Sequence, residues 1–429
     1  MNPETVTIIG TGYVGLTTAA CLAHLGHRVH AMDIDTDKVD ALNTGQVPIV
    51  EAGIDRLVAE GLSSGQLSFT ADYAVVADAT ITMLCLPTPP KPDGGLDLAY
   101  VESAVKRIAP LLSADSIVVT KSTVPVGTHD LVRSWLDRSD AHAVSNPEFL
   151  REGTAVEDFL APDRVVIGAA NAAIGERVAS LYSRLDTTIM HTDPTSAELI
   201  KYAANTFLAT KLSFINEMSR LCDHLGADID SVAAGLGSDH RIGSAFLRPG
   251  PGWGGSCFPK DTLGLCHLAQ TTDHHLPVTE AAYASNQLQL DHVTCEVERI
   301  SQRPLSEVSI AVWGATFKAE TDDTRDSPAL DIVARLTQQG ARVTVYDPIA
   351  APETIPARTT EDPYSACTGA DILVVLTEWA EFGSVDLDKV AAQLGNPHVY
   401  DTRAVIDPAA AEAAGLVLHR LGKPAERRP

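Results

Sequence analysis

"TVTIIGTGYVGLTTAACLAHLGHRVHAMD", residues 5–33, holds in order an apolar β-branched run, a glycine turn, a helical stretch of small residues and a second strand ending in Asp33. A buried strand feeding a helix and then another strand is a βαβ unit, which builds parallel sheets. Gly10, Gly12 and Gly15 fall in the G-x-G-x-x-G pattern, and Asp33 lies 18 residues beyond Gly15. Alone the glycine pattern is weak. Placed after a strand and at the head of a helix, with an acid closing the next strand, it is the dinucleotide fingerprint. Gly10 permits the tight turn, Gly12 lets a pyrophosphate approach, and Gly15 lets helix and strand pack. The helix N-terminus then offers N–H groups to the phosphates. Asp33 is expected to accept from the adenosine ribose and to repel a 2′-phosphate, favouring NAD over NADP. Asp35 is a rival that lies past the strand end.

The same plan returns near the other end. EVSIAVWGATFKAETDDTRDSPALDIVARLTQQGARVTVYDP, residues 307–348, again reads strand, glycine, helix, strand and Asp (Asp347), and ATITMLCLPTP and ADILVVLTEWAEF match as later strands. Here there is no G-x-G-x-x-G. Gly314 is followed by Phe317, Lys318 and Arg325, so a different nucleotide bound by charge is expected, a solvated basic face being the alternative. Between the repeats the pattern is helical, from Pro194 to about Leu225 with an apolar stripe at Leu199, Tyr202, Ala203 and Phe207, and from about Pro277 to Ile300 with Val293, Val297 and Ile300 at helical spacing. The expected fold is α/β, with two Rossmann-like doubly wound parallel-sheet domains joined by a central helical region. The expected boundaries are 1–195, 196–303 and 304–429. The tail GKPAERRP is expected to fray.

Composition narrows the function. The chain has 429 residues, 45% hydrophobic and 21% charged, with a formal net charge of −24. Such a chain repels phosphate backbones and anionic membranes, which argues against nucleic-acid and membrane partners. Apolar runs are strand-sized, and the N-terminus enters a strand without a basic region, so neither a transmembrane span nor a signal peptide is expected. The seven cysteines include no C-x-x-C pair, so no zinc site is expected and a reducing cytoplasm fits.

Four further stretches carry candidate chemistry. AELIKYAANTF puts Lys201 and Asn205 on one helix face, able to hold a hydroxyl and stabilise an oxyanion; a snorkelling lysine beside a polar cap has the same spacing. SNPEFLREGTA carries Glu148 and Glu152 around Arg151, suited to acid–base work, or equally to a helix start at Asn146–Pro147. TKSTVPVGT places Thr123 at a strand end, near water or nicotinamide, or as turn punctuation. WGGSCFPKD sets Cys257 after Gly254 and Gly255, which would let the backbone approach a ligand, and before Lys260 and Asp261, which can stabilise a thiolate and take a proton. A thiolate beside a hydride acceptor makes sense if an aldehyde forms: a thiohemiacetal, then a thioester, then a released acid, with two NAD per turnover. Cys21, Cys85, Cys222, Cys266, Cys295 and Cys367 sit in apolar or helical contexts and read as structural.

With these motifs in order, together with LPTP, RIGSAFLRPGPGWGGSCFPKD and DTRAVID, the chain resembles the UDP-glucose 6-dehydrogenase family from about Val6 to about Asp407. The resemblance implies cofactor contacts at Val14, Asp33, Lys38, Thr88, Thr123, Glu152, Lys260 and Arg325. It implies Cys257 as nucleophile, Lys201 and Asn205 at the reacting centre, Asp261 in proton transfer, Glu148 and Thr123 in the water and thioester steps, and Glu152 as a further catalytic residue. It implies nucleotide-sugar contacts at Phe149, Leu150, Arg151, Glu152, Phe246, Leu247, Arg248, Pro249, Gly250 and Gly254. Lys318 and Arg403 would come from the C-terminal domain, the sugar site lying between domains. Arg241 would reach a neighbouring subunit's ligand in a homodimer paired through the central helices. No metal is implied. Trp313 and Ala319–Glu320 depart from the family's pattern beside the expected uridine-facing strand end. Phe258 and the RIG…FLRPG run favour UDP-glucose over GDP-mannose. A two-electron hydroxyacid dehydrogenase would share the Lys-x-x-x-Asn helix but has no use for Cys257 or a second α/β domain.

Overall fold

Short β-branched runs bounded by glycine form buried strands, and the small-residue stretches after them form helices laid on the sheet. A computed structural model describes residues 3–423. In the first sheet, β1 (Thr5–Ile9), β2 (Arg28–Met32), β3 (Leu67–Thr70), β4 (Ile81–Leu84), β5 (Ile117–Thr120), β6 (His142–Ser145), β7 (Arg164–Ala169) and β8 (Thr188–Thr192) lie in the order β3-β2-β1-β4-β5-β6-β7-β8. In the second, β9 (Ser309–Trp313), β10 (Arg342–Tyr346), β11 (Arg358–Thr359), β12 (Ile372–Val375), β13 (His398–Asp401) and β14 (Val417–Arg420) lie in the order β11-β10-β9-β12-β13-β14. The second order repeats the first six strands of the first. Paired strands are parallel except β6 with β7, which run antiparallel and extend the first sheet. In each sheet the strand order reverses beside the first strand, and a ligand crevice belongs at that reversal.

The repeat extends to single bonds. Gly10 N–H donates to Met32 O and Gly314 N–H to Tyr346 O, both at 2.8 Å. Thr11 N–H donates to Asp33 at 2.9 Å, and Ala315 N–H to Asp347 at 2.7 Å. Both sheets are covered on both faces: along β9, Ile310 and Val312 enter one apolar cluster while Ala311 and Trp313 enter the other.

The chain forms two compact units. One takes in the chain up to Ala204 with Leu263–His274, the other Asn205–Thr262 with the chain from His275 onward. The helices Pro194–Leu225 and Phe258–Thr271 contribute to both. The Pro277–Ser301 helix buries Val293, Val297 and Ile300 as its spacing implied. The Pro194–Leu225 helix departs from the expected stripe. Tyr202 is buried, but Leu199 is 43% and Phe207 64% exposed, while Glu198, Lys201, Asn205, Ser213 and Asn216 face inward. Polar groups take that face because they have partners there, and a paired polar group can be buried at little cost. At the C-terminus Lys423 pairs with Asp228 and Asp230; the rest of the tail expected to fray lies outside the described residues.

Trp313 is fully buried against Phe382, at 5.2 Å between ring centroids, and its indole N–H donates to Pro363 O at 3.0 Å. The departure from the family pattern is therefore a core residue, not a base-facing one. Trp313→Ala is expected to cost about 3–5 kcal/mol through the cavity it leaves. Denaturant titration against the parent measures this, with NAD affinity unchanged.

Candidate active site

In the first unit the glycine turn is sterically obligatory. Gly10 has φ +93°, and a Cβ there would stand 2.5 Å from Cys85 O. A Cβ on Gly15 would fall 1.9 Å from Gly10 O, so the helix cannot rest on the strand with any larger residue. At Gly12, which caps the Tyr13–His24 helix, a Cβ would meet nothing within 4 Å, and the first helical turn carries no acid. That backbone is open to an anion. Asp33 closes β2, its Oδ2 accepting from Thr11 N–H, from Thr11 Oγ1 (2.7 Å) and from Lys38 Nζ (3.1 Å). Burial pushes its carboxyl up, and the Thr11 bonds with Lys38 outweigh this and hold it below the ordinary value. Asp35 is engaged as the N-cap of the Thr36–Asn43 helix, accepting from Lys38 N–H at 3.1 Å. Thr88 Oγ1 donates to Thr123 O at 2.7 Å, tying the loop after β4 to the loop after β5. Val14 is half-buried against the core. The open helix N-terminus, the glycine cradle and the ionised Asp33 fit a dinucleotide.

Past β6 the chain does not begin a helix at Asn146–Pro147. It runs without regular structure to the Ala155–Leu160 helix. The reason is Glu148, which turns inward: Oε1 pairs with Lys201 Nζ at 2.9 Å and Oε2 accepts from Leu150 N–H at 2.5 Å. Burial pushes Glu148 up; Lys201, the Leu150 N–H and Lys121 together bring it below its ordinary value. Lys201 is buried and also faces the Phe149 ring. Glu152 is half-buried. Arg151 is exposed, its guanidinium held by Asp158.

Two residues here escaped the sequence reading. Glu198, one turn before Lys201 on the same face, accepts from Gly127 N–H (2.7 Å), His129 N–H (2.9 Å) and Ser145 Oγ (3.0 Å), and burial raises its carboxyl. The spacing of Glu198, Lys201 and Asn205 was the available signal. Lys121, buried and bonded to Asn146 and Tyr182 at 3.4 Å, had none.

In the second unit Cys257 immediately precedes the Phe258–Thr271 helix, and its carbonyl accepts from Asp261 N–H at 2.9 Å. It is partly exposed. By contrast, burial pushes the Cys21, Cys85 and Cys367 thiols up to about 12. Cys295, read as structural, is exposed on its helix. Asp261 is wholly buried, accepting from Asn205 Nδ2 at 2.6 Å and pairing with Lys260 Nζ at 2.7 Å. The two glycines before the thiol lie close against the protein's own residues. A Cβ on Gly254 would lie 1.9 Å from Asp326 O, and one on Gly255 2.7 Å from the Phe317 ring.

Of the expected sugar-nucleotide residues in this unit, Leu247 is core, clustered with Ile215, Cys222 and Ile229. Phe246 adopts φ +61°, as Glu320, Asp326 and Ala404 adopt left-handed φ on the loops of the second sheet; such strain gathers at ligand sites. Arg248 donates to Arg403 O (2.7 Å) and Ala404 O (3.0 Å), and Arg403 is held by Leu376 O and Glu378. A Cβ on Gly250 would meet that Arg403 guanidinium at 2.8 Å. Pro249 is half-buried. Lys318 lies 5.6 Å from the Phe317 ring centroid. Arg241 and Arg325 are exposed and paired with Asp239 and Asp323.

Family models match the chain in three consecutive segments: the NAD binding domain of the UDP-glucose/GDP-mannose dehydrogenase family over residues 4–186, its central domain over 195–288 and its UDP binding domain over 311–408. The chain belongs to the UDP-glucose/GDP-mannose dehydrogenase family. It is similar to the UDP-glucose 6-dehydrogenase of Rhizobium meliloti (strain 1021), 43% identical over 98% of this chain and 99% of that one. It is also similar to the UDP-glucose 6-dehydrogenase TuaD of Bacillus subtilis (strain 168), 39% identical over 98% and 94%. The solved UDP-glucose dehydrogenase from the hyperthermophilic archaeon Pyrobaculum islandicum superposes with a TM-score of 0.91 at 34% identity, over 99% of this chain and 98% of that one. Membership makes the protein an NAD-dependent dehydrogenase acting on a CH–OH group, with its first domain as the NAD site. Among the described residues no helix is long and apolar enough to cross a membrane.

Lys201→Met leaves Glu148 buried without its main counter-charge, at an expected cost of about 3–5 kcal/mol near pH 7. In the parent the carboxyl is depressed, so its stabilising effect is present above the ordinary glutamate pKa and is lost as pH falls through the depressed value. In the variant, burial raises the carboxyl instead, and protonation relieves the penalty. The stability gap between parent and variant should therefore narrow as pH falls toward the carboxylate range, measured by denaturation at stepped pH.

Proposed function

We propose that the protein oxidises the C6 alcohol of UDP-glucose to the carboxylate of UDP-glucuronate through a thioester on Cys257. The observation that carries this reading is the contrast among the thiols. Cys257 is partly exposed at the head of a 14-residue helix, beside the Asp261 cluster, whereas Cys21, Cys85 and Cys367 are held protonated by burial. A helix N-terminus favours the thiolate. The labour divides along the expected segments 1–195, 196–303 and 304–429.

When bound, NAD takes up one hydride at each of the two oxidations. Gly12 would let its pyrophosphate approach the helix N-terminus, with Gly10 and Gly15 shaping that turn; Asp33 would hold its ribose, and Val14, Lys38, Thr88, Thr123, Glu152, Lys260 and Arg325 would complete its site. Lys201 and Asn205 hold the substrate C6 oxygen and take the strain of its developing charge. Loss of a proton and a hydride turns the alcohol into an aldehyde. The Cys257 thiolate adds to the aldehyde carbon, forming a C–S bond and an oxyanion that Lys201 and Asn205 stabilise. Loss of the second hydride gives the thioester. Water then attacks its carbonyl, with Asp261, Glu148 and Thr123 placing the water and accepting its proton, and the C–S bond breaks to return the thiolate. In sum, alcohol, two NAD and one water yield carboxylate, two NADH and three protons.

Phe149, Leu150, Arg151 and the run Phe246–Gly250, with Gly254, Lys318 and Arg403, are the proposed contacts of the nucleotide sugar. Support for UDP comes from the UDP binding domain match and from the names of the relatives. GDP-mannose is the competing substrate.

Limiting UDP-glucose with excess NAD tests the reading. Two NADH per sugar are expected; one would make the enzyme a simple alcohol dehydrogenase. Cys257→Ser should lower kcat by at least about a thousandfold, as loss of a nucleophile does, and normal turnover by that variant would remove the thioester.

A homodimer is proposed on the exposed stripe of the Pro194–Leu225 helix. Phe207, Phe214 and Leu221 recur every seven residues and Leu225 follows, all four exposed. Arg241 would act across that pairing. Sedimentation should give twice the 45.5 kDa chain mass, and Phe207→Asp with Phe214→Asp should give one chain.

A further inference from the structure

Four residues before the thiol, the chain from Gly250 to Trp253 is buried yet has neither helix nor strand. Buried peptide groups need partners, and here side chains supply them. Asn286 meets both sides of one residue: its Oδ1 accepts from Trp253 N–H at 2.9 Å and its Nδ2 donates to Trp253 O at 2.8 Å. Gly250 is held the same way by two residues, its N–H donating to Asn216 Oδ1 (2.9 Å) and its carbonyl accepting from Gln289 Nε2 (2.8 Å). The Trp253 indole N–H donates to Ser213 Oγ at 2.8 Å, and Ser213 Oγ donates on to Ala282 O at 2.6 Å. Arg220 fixes the far end of Gln289 through its Oε1 at 2.5 Å. Ser213, Asn216, Asn286 and Gln289 are all buried, so these bonds form where water does not compete.

We infer that Asn286, seconded by Gln289, Asn216 and Ser213, is a positioning residue for the Cys257 thiol, acting through the backbone of Gly250–Trp253. Beyond the clamp, Gly255 N–H donates to Asp326 O at 3.2 Å, and the Cys257 carbonyl begins the next helix. The thiol is thus carried on a short span anchored at both ends. None of the four residues belongs to the proposed substrate or cofactor contacts. The inference rests on the thioester reading, since only the second oxidation uses the thiol; the first needs the alcohol, NAD, Lys201 and Asn205.

The C6 aldehyde of UDP-glucose separates the two oxidations. Supplied with NAD it must pass through the thiol to the acid. Supplied with NADH it returns to the alcohol, gaining a hydride and a proton without the thiol. Asn286→Ala is expected to lower kcat for aldehyde oxidation about 10- to 100-fold, the scale of a roughly 1 Å misplacement of a reacting group, and to leave aldehyde reduction within about twofold. The KM for NAD should not move. Equal loss in both directions, or no loss in either, would overturn the clamp. If Asn286→Ala does not fold, Ser213→Ala decides: selective loss of aldehyde oxidation supports the inference, and parental rates in both directions refute it. Cys257→Ser is run alongside. If it oxidises the aldehyde normally, the thioester reading fails; if it does not while Asn286→Ala does, only the clamp fails.

Discussion

A helix that turns its polar face inward must find partners for the groups it buries, and that requirement organises this protein. Along the Pro194–Leu225 helix, Glu198 receives the backbone N–H groups of Gly127 and His129. Lys201 pairs with Glu148, and Asn205 donates to Asp261. Ser213 takes the Trp253 indole, and Asn216 takes the Gly250 N–H. An unpaired group at any of these positions would cost about 1–3 kcal/mol, more if charged. The loops that carry the chemistry are therefore held by bonds that the helix itself needs. The apolar residues that such a helix would ordinarily bury are left outside, where Phe207, Phe214 and Leu221 form an exposed stripe.

The two α/β repeats show how one backbone plan is turned to two uses. Strand order, the register of the first two strands and the bond from the first turn to the acid closing the second strand are shared. In the first repeat Asp33 binds Thr11 and Lys38 beside an open helix N-terminus. In the second, Asp347 is filled by Ala315, Thr316, Ile349, Ala350 and the Trp379 indole, so its carboxylate has been spent on the protein's own backbone. The neighbouring loops carry Lys318 and Arg403, the cations proposed above to hold a nucleotide in that domain.

Much of this was legible because it is local. The glycine fingerprint, the closing acids, the doubled βαβ plan and the two long helices depend on residues within a few turns of one another, and period and turn chemistry report such neighbours directly. The choice at Asn146–Pro147 was not legible. Local preference allowed a helix start, and a long-range ion pair from Glu148 to Lys201 prevented it. What the glycines before Cys257 pack against was hidden for the same reason, since Asp326 and Phe317 lie far along the chain.

By itself, then, the sequence determined that the chain would build two parallel sheets with a dinucleotide turn in the first, and its resemblance to a family put forward Cys257, Lys201 and Asn205 as candidates for the chemistry. The sheets and the turn follow from covalent spacing and from the intrinsic preferences of residue types. Only the tertiary structure decided which helix face is buried, which carboxylates carry a counter-charge and which amides hold the thiol loop. Burial and pairing are set by residues distant in sequence, and the energy of a charge or an amide depends on the partner the fold brings to it.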